Sequence, residues 1–340
     1  MKIIFYLHSP TTYHFDFFKS LFKKKIDVYV IYQNKKINNF NWKFKKYKWV
    51  FYIDKNESSI KIKKLLKKID PEVIIIGGYK MKLDNFFKKN KNYLIYYWLE
   101  RLEKKSFLIN FLRNLYIKYK VKKVDGILAI GTQAKQYYKK FHNKITDLQY
   151  SIECNRIDLS KKLYGLNFLF VGQLIKRKGL NLLVNTISKI KDKKFNFTIV
   201  GEGYLKYEIE KIKNKNFKYY NFLNKKKLSN IYKKNSILIL PSKFDGWAVV
   251  VLEAMQNGLA IVSNKNVGSF NEYIKNGING REITSSPNSL YNQIKFFEKN
   301  IKKIKKYGIV NRRIFVENLS NADIAAKNLQ FFLLKNFIKD

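Results

Sequence analysis

One cysteine, Cys154, stands among 340 residues. An internal disulfide and any cysteine-built metal centre are therefore excluded, and the residue reads as a small apolar filler. Arginine is nearly as telling. Of the 69 Lys and Arg residues only seven are arginines, at 101, 113, 156, 177, 281, 312 and 313. Base readers rely on arginine for bidentate contacts, so a sequence-specific nucleic-acid reader is disfavoured. No apolar run reaches the roughly 18–20 residues that a spanning helix needs. The opening MKIIFYLHSPTTYH turns polar quickly and shows no signal-peptide apolar region. A cytoplasmic protein is the expectation.

What the chain does have is apolar content and positive charge. Hydrophobic residues make up 46% and aromatics 16%, enough for two cores of ordinary domain size. Against the 69 cations stand 25 acids, a formal net charge of +44. The lysines are scattered, as in Lys23-Lys24-Lys25 and Lys225-Lys226-Lys227, rather than gathered in one arm. A coding composition that inflates Lys, Asn, Ile, Tyr and Phe together explains this pattern. So does adhesion to an anionic membrane face, where each lysine near the surface contributes about 1 kcal/mol. The two explanations are compatible, because a charge this large attracts anionic lipid whatever produced it.

Apolar runs alternate with amphipathic stretches. Strands are expected over 2–7, 28–32, 49–53, 73–77, 94–98, 126–130 and 147–151, with helical patterns at 15–24 and 59–69. The stretch 104–123 reads as a basic amphipathic helix, either packed on the sheet or facing a membrane. Periodicity lapses near 153–166 and then restarts. Strands are expected at 167–171, 197–200, 219–222, 237–240 and 259–262, and helices at 178–190, 204–213, 228–234, 248–257 and 270–275. The remainder, 289–339, reads as helical. Strands alternating with helices imply parallel doubly wound sheets. The expected domains are 1–155 and 156–320, both Rossmann-like α/β, with a C-terminal helix over 321–340 that is a candidate to cross back to the first.

The chemistry concentrates in the second half. In Leu240–Gly258, LPSKFDGWAVVVLEAMQNG, an apolar strand ends at Pro241-Ser242, a tight turn is expected at Asp245-Gly246, and Glu253 enters a helix. The two carboxylates lie eight positions apart, one in the loop and one in the helix. Strand ends feeding helix starts are where open α/β sheets bind ligands, and the helix N-terminus attracts phosphate. The spacing suits a diphosphate on backbone donors with hydroxyl-rich groups on the carboxylates. Upstream, GQLIKRKG (172–179) leads a strand through a glycine turn to cations. VGEG (200–203) flanks a second turn with glycines that let backbone approach a ligand. Downstream come VGSFNE (267–272) and NGING (276–280). Each is weak alone, but their joint order is specific.

In that order the chain resembles the retaining GT-B glycosyltransferases of family 4, the glycosyl transferases group 1 domain, from about 167 to 283. The resemblance implies two Rossmann-like domains facing across a cleft, with an acceptor-binding first domain and a nucleotide-sugar-binding second. It gives Lys178 the leaving diphosphate, Glu253 the ribose hydroxyls and Asp245 the transferred sugar. Gly172, Gln173, Arg177, Gly246 and the backbone of Trp247, Ala248 and Val249 would meet phosphate or sugar. The base would lie near Gly201, Gly203, Asn221, Phe222 and Leu223. Gln173 stands where the family has arginine, with Arg177 as a possible substitute. Asp245 stands for the first glutamate of the pair, Trp247 for a phenylalanine and Ala248 for a glycine.

No nucleophile–base pair stands out, in keeping with a front-face displacement in which the leaving phosphate takes the acceptor proton. No cofactor and no metal are expected. His14 and Glu100 are candidates for acceptor contact. The alternatives are a buried or capping histidine for His14 and a salt bridge to Arg101 or a lysine for Glu100. His8 ends the first strand, and His142 is expected on the surface. The expected partners are a nucleotide-sugar donor, UDP-linked in preference, a glycan or lipid-linked glycan acceptor and peripheral contact with an anionic membrane on its inner face. The competing class, a basic nucleic-acid-binding protein without transferase activity, rests on charge alone and lacks a recognition motif.

Overall fold

Uninterrupted apolar runs such as Val73–Ile76 and Ile237–Leu240 become strands whose every residue is buried, as expected of parallel strands covered on both faces. The computed structural model describes residues 1–34, 46–53, 59–89, 92–213, 215–318 and 320–337. Two compact units emerge, Met1–Glu153 with Ala322–Asp340, and Cys154–Asn321.

The first unit runs β1 (Lys2–Leu7), α1 (Thr12–Lys23), β2 (Asp27–Tyr32), β3 (Val50–Tyr52), α2 (Ser59–Ile69), β4 (Val73–Ile76), α3 (Asp84–Lys89), β5 (Leu94–Glu100), α4 (Phe107–Val121), β6 (Gly126–Ile130), α5 (Thr132–Tyr138) and β7 (Ile145–Asp147). Its seven parallel strands lie in the order β3-β2-β1-β4-β5-β6-β7. Strand order reverses at β1, whose Ile3 faces Val28 on one side and Val73 on the other.

The second unit runs β8 (Asn167–Val171), a 3₁₀ turn (Lys176–Lys178), α6 (Leu180–Ser188), β9 (Asn196–Val200), a 3₁₀ segment (Lys206–Lys211), β10 (Phe217–Tyr220), α7 (Lys225–Lys234), β11 (Ile237–Leu240), α8 (Val249–Gln256), β12 (Ala260–Ser263), α9 (Gly268–Tyr273), β13 (Gly280–Glu282), α10 (Pro287–Lys299) and α11 (Ile301–Glu317). The sheet order is β10-β9-β8-β11-β12-β13, again with the reversal at the unit's first strand. In such sheets the loops after the two strands flanking the reversal define the ligand crevice. Here these are the loops after β8 and β11. The last helix, α12 (Ala322–Phe337), belongs to the first unit, where Tyr96 meets Phe332 edge-on and Ala322 N–H donates to Ile152 O.

Several expected boundaries move. The strand expected over 147–151 is Ile145–Asp147. Beyond it, Leu148 and Gln149 are buried by packing, and Leu148 O accepts from Trp98 Nε1 at 2.6 Å. The helix expected over 178–190 is interrupted at Gly179, which holds φ 73° between the 3₁₀ turn and α6. The helix expected at 204–213 is 3₁₀. The strand expected at 219–222 ends at Tyr220, which leaves Phe222 and Leu223 in a loop. The helical tail divides into α10, α11 and α12, and the expected end at 339 lies outside the described residues. Short elements such as α3, α5 and β13 carry too few residues for a readable period.

Candidate functional site

Three loops at the carboxyl ends of β8, β9 and β11 are built on one another. Gly172 N–H donates to Val200 O and Leu174 N–H to Glu202 O, while Leu205 N–H returns to Leu174 O. Gly201, at φ 149°, lies so close to Gly172 that a Cβ would fall on the Gly172 carbonyl oxygen, and a Cβ on Gly203 would meet Leu174 O. The sequence reading gave these glycines to the approach of a ligand. The structure adds a second requirement for glycine here, because the atoms that a side chain would strike belong to the neighbouring loop.

Gly179 does the same work against β11. Its left-handed backbone sets the 3₁₀ turn onto Pro241, whose carbonyl a Cβ there would strike. Arg177 completes the clamp: its Nη1 donates to Phe244 O at 2.8 Å and its carbonyl accepts from Lys243 N–H at 2.8 Å. The guanidinium offered as a substitute for the family arginine thus holds the loop in shape. Gln173 and Gly172 are half-buried at the end of β8.

This packing brings Lys178 to Asp245, and their side chains form an ion pair. Both are largely buried, at 13% and 12% side-chain exposure, so solvent screens the pair far less than a surface one. Asp245 does not sit in the expected tight turn. It makes an isolated parallel bridge with Val267, its N–H donating to Asn266 O at 3.0 Å and its carbonyl accepting from Gly268 N–H at 3.1 Å. That pairing fixes the Asp245 backbone in extended form and aims the side chain at Lys178.

Gly246 and Trp247 follow, both buried, with Trp247 edge-on to Tyr273 at 5.9 Å. Ala248 lies outside α8 as its N-cap, at φ 64°, and Val249 opens the helix. Ser269 secures the entry, its N–H donating to Trp247 O at 2.8 Å and its hydroxyl to Ala248 O at 2.9 Å.

Glu253 is half-buried in the middle of α8. Its Oε2 accepts from the Tyr232 hydroxyl at 2.7 Å. Tyr232 is 2% exposed, and burial first, then the charge of Glu253, pushes its pKa well above the ordinary phenol value. The phenol therefore stays a donor and orients the carboxylate. Sequence reasoning missed Tyr232, which lies 21 residues before its partner and inside the lysine-rich α7. Only its position on a buried helix face could have marked it. At the proposed base end, Tyr219 OH, with one proton to donate, lies 2.9 Å from Gly201 O and 2.7 Å from Asn221 Oδ1, and Phe222 N–H reaches Glu202 Oε1 at 3.4 Å. Phe222 and Leu223 are half-buried.

In the first unit the acceptor candidates are placed differently from one another. His14 is 6% exposed, with the rings of Tyr13, Phe18, Tyr32, Trp98 and Tyr150 around it. Burial lowers its pKa to about 3, and its Nδ1 has no hydrogen-bond partner. The cap of α1 is Thr11, whose hydroxyl accepts from His14 N–H. Glu100 is the last residue of β5 rather than just beyond it, and Tyr150 hydrogen-bonds its carboxylate. Arg101 Nη1 bonds Gln133. His8 is exposed and contacts Ser9 and Asn34. His142 is half-buried rather than simply on the surface, accepting from Lys144 N–H at 3.1 Å, with Nε2 3.2 Å from Val124 O.

Residues 154–314, nearly the whole second unit, match the family described as Glycosyl transferases group 1. A Klebsiella pneumoniae protein described as an uncharacterized 41.2 kDa protein in the cps region is 31% identical over 55% of this chain and 50% of its own length. The chain thus spans about half the length of that curated relative. Among solved structures, sucrose-phosphate synthase from Thermosynechococcus elongatus superposes with TM-score 0.79 at 12% identity, covering 100% of both chains. Anabaena HepE, solved in complex with UDP, does so with TM-score 0.76 at 14% identity over 98% of this chain and 100% of its own. The fold is GT-B, two parallel-sheet α/β units.

Proposed function

We propose that the protein is a retaining glycosyltransferase of family 4 that moves a sugar from a nucleoside-diphosphate donor, UDP-linked in preference, to a cell-surface glycan or lipid-linked acceptor. The Lys178–Asp245 ion pair at the sheet's reversal point carries this reading. Without donor, the two charges compensate one another. With donor bound, Lys178 turns to the diphosphate and Asp245 to the sugar hydroxyls. The bond from the anomeric carbon to the phosphate oxygen breaks as the acceptor oxygen bonds that carbon from the same face, and the acceptor proton passes to the departing phosphate. Lys178 stabilises the charge that develops there, a contribution that a preorganised and partly buried cation makes well. Glu253, held by Tyr232, accepts from the ribose hydroxyls.

This reading needs no metal or cofactor, so activity should persist in EDTA. Glu100 is the remaining candidate for acceptor contact. The capsule-region relative and the UDP complex of HepE support the acceptor class and the donor base respectively. The working site is cytoplasmic, with peripheral attachment to the inner membrane face.

The decisive experiment is a thermal-shift screen against UDP-, GDP-, ADP- and dTDP-sugars, since a ligand at a hundredfold its Kd adds about 2.7 kcal/mol of apparent stability. The UDP-sugar shift should disappear in Glu253→Ala and shrink in Lys178→Ala, and the product should keep the donor's anomeric configuration by NMR. Normal donor binding in both variants would remove the site assignment, and an inverted product would remove the retaining mechanism.

A further inference from the structure

Among the described residues, helix α4 packs on its unit through one face and leaves an apolar face opposite it exposed. Ile117 and Val121 on the inner face are fully buried. Lys120, also inward, pairs with the buried Asp84, and Lys88 Nζ donates to Lys120 O at 2.9 Å. The helix is therefore seated on its unit without help from the other side. That other side carries Phe107, Leu108, Phe111, Leu112, Leu115 and Tyr119, with exposures from 51% for Leu115 to 86% for Phe107. At 100° per residue these six fall within one outward arc of the helix. A contiguous exposed apolar patch of this kind marks an interaction surface rather than the scattered apolar residues of an ordinary exterior.

The charge around the patch identifies the partner. Between Lys104 and Lys123 there are six lysines and one arginine and no carboxylate, and the one flanking carboxylate, Glu103, pairs with Lys105 at 2.7 Å. Lys104 and Lys105 precede the helix, and Lys118, Lys122 and Lys123 close it, all five exposed. Tyr116 lies edge-on to Tyr79 at 6.0 Å, which brings the loop bearing the exposed Lys80 and Lys82 to the helix flank. Apolar side chains in the middle with cations at both ends match the boundary between acyl chains and anionic headgroups. Lysine stems lie along the apolar layer while their ammonium groups stay at the headgroups.

We infer that the outer face of α4 is the surface by which this protein docks on an anionic lipid leaflet, with Phe107, Phe111 and Leu115 entering the acyl boundary and Lys104, Lys118, Lys122 and Lys123 meeting the headgroups. This names the attachment surface for the peripheral membrane contact proposed above, and rests on that part of the reading. A protein partner or a second copy would need neither the excess of cations nor its position at the two ends of the patch.

The test is co-sedimentation of the full chain with phosphatidylglycerol-containing vesicles and with pure phosphatidylcholine vesicles. The expected result is strong partition to the anionic vesicles, weakened by salt, and reduced at least about tenfold in the triple variant Phe107→Ser/Phe111→Ser/Leu115→Ser. These side chains are exposed, so the variant should keep the wild-type melting temperature. Leu163→Ser, at another apolar position that is 87% exposed, serves as the control and should bind like wild type. Unchanged partition of the triple variant, or no partition of the wild type, would overturn the inference. So would a wild-type dimer by sedimentation velocity that the triple variant converts to monomer, since the face would then be a protein interface. Donor binding measured on the same samples separates the two readings: its loss in wild type counts against the transferase, and the vesicle result stands by itself.

Discussion

Ala248 holds φ 64° and ψ 78° where the helix of the second carboxylate begins. In that region Cβ crowds the following carbonyl oxygen, which costs about 1–2 kcal/mol for a residue other than glycine. Ser269 keeps the residue there through its bonds to Trp247 O and Ala248 O, and the resemblance places glycine at this position. Ala248→Gly should therefore relieve the strain, less some entropy returned to the unfolded chain. The expected net gain is about 1 kcal/mol, seen as a higher urea midpoint at unchanged m-value. A lower midpoint would mean that the buried methyl group packs well enough to outweigh its backbone cost. At this scale the sequence yields identities more readily than partners. Asp245 and Glu253 stand out in LPSKFDGWAVVVLEAMQNG, whereas the phenol of Tyr232 that orients Glu253 comes from another helix with no local signal.

The loops are where element-scale structure decides the site. Gly179 bends the chain between the 3₁₀ turn and α6 and lets that turn rest on Pro241, which sets Lys178 against Asp245. Gly179→Ala combines a left-handed backbone penalty of about 1 kcal/mol with a clash against a carbonyl that cannot yield without moving β11's loop. Gly277 provides the control: it has a similar φ of 81°, but the nearest atom to an added Cβ is Arg281 Nη1 at 3.8 Å. Gly277→Ala should lose only about 1 kcal/mol and bind donor normally. Gly179→Ala should lose at least about 2 kcal/mol and weaken donor binding together with it. Equal losses in calorimetry and equal donor affinity would show that the Pro241 contact does not position Lys178.

The same comparison explains what was legible in advance. The central strands of both sheets could be read from apolar runs such as residues 3–7 and Ile237–Leu240, because burial on both faces leaves a continuous hydrophobic signature, whereas the three-residue edge strands β7 and β13 leave none. The loop-to-loop fit of Gly201 on Gly172 could not, since a glycine says that a side chain is forbidden but not by which neighbour. The break at Gly179 was lost for a related reason. Leu180 to Ile190 continues a helical period, and periodicity does not see one left-handed residue at its head. The exposed arc of α4 was ambiguous in sequence because a two-faced apolar helix and a core helix share one composition.

Across the whole molecule, acid stability should turn on one buried imidazole set against a charge of +44. His14 is neutral in its aromatic surroundings, its pKa lowered by burial to about 3 from an ordinary 6.5. Between those values the unfolded chain binds a proton there and the native one does not, so stability falls as pH falls through this window, and nothing is lost above it. From pH 7 to 5 the loss amounts to about 2 kcal/mol. Lys162, lowered by burial to about 8, acts at the other end: the native state sheds its proton first, so stability rises from about pH 8 until the ordinary lysine value is passed. Buried tyrosines, whose pKa values are raised, reverse this above the ordinary phenol value, because the unfolded chain then ionises first. The acid arm can be isolated with His14→Phe, which keeps an aromatic ring in place and removes the titration. Whatever that substitution does to absolute stability, the difference between wild type and variant should shift by about 2 kcal/mol in favour of the variant between pH 7 and 5, read from urea unfolding monitored by the fluorescence of neighbouring Trp98. Parallel pH profiles for the two proteins would mean that His14 accepts its proton without unfolding and that the acid sensitivity arises elsewhere in the chain.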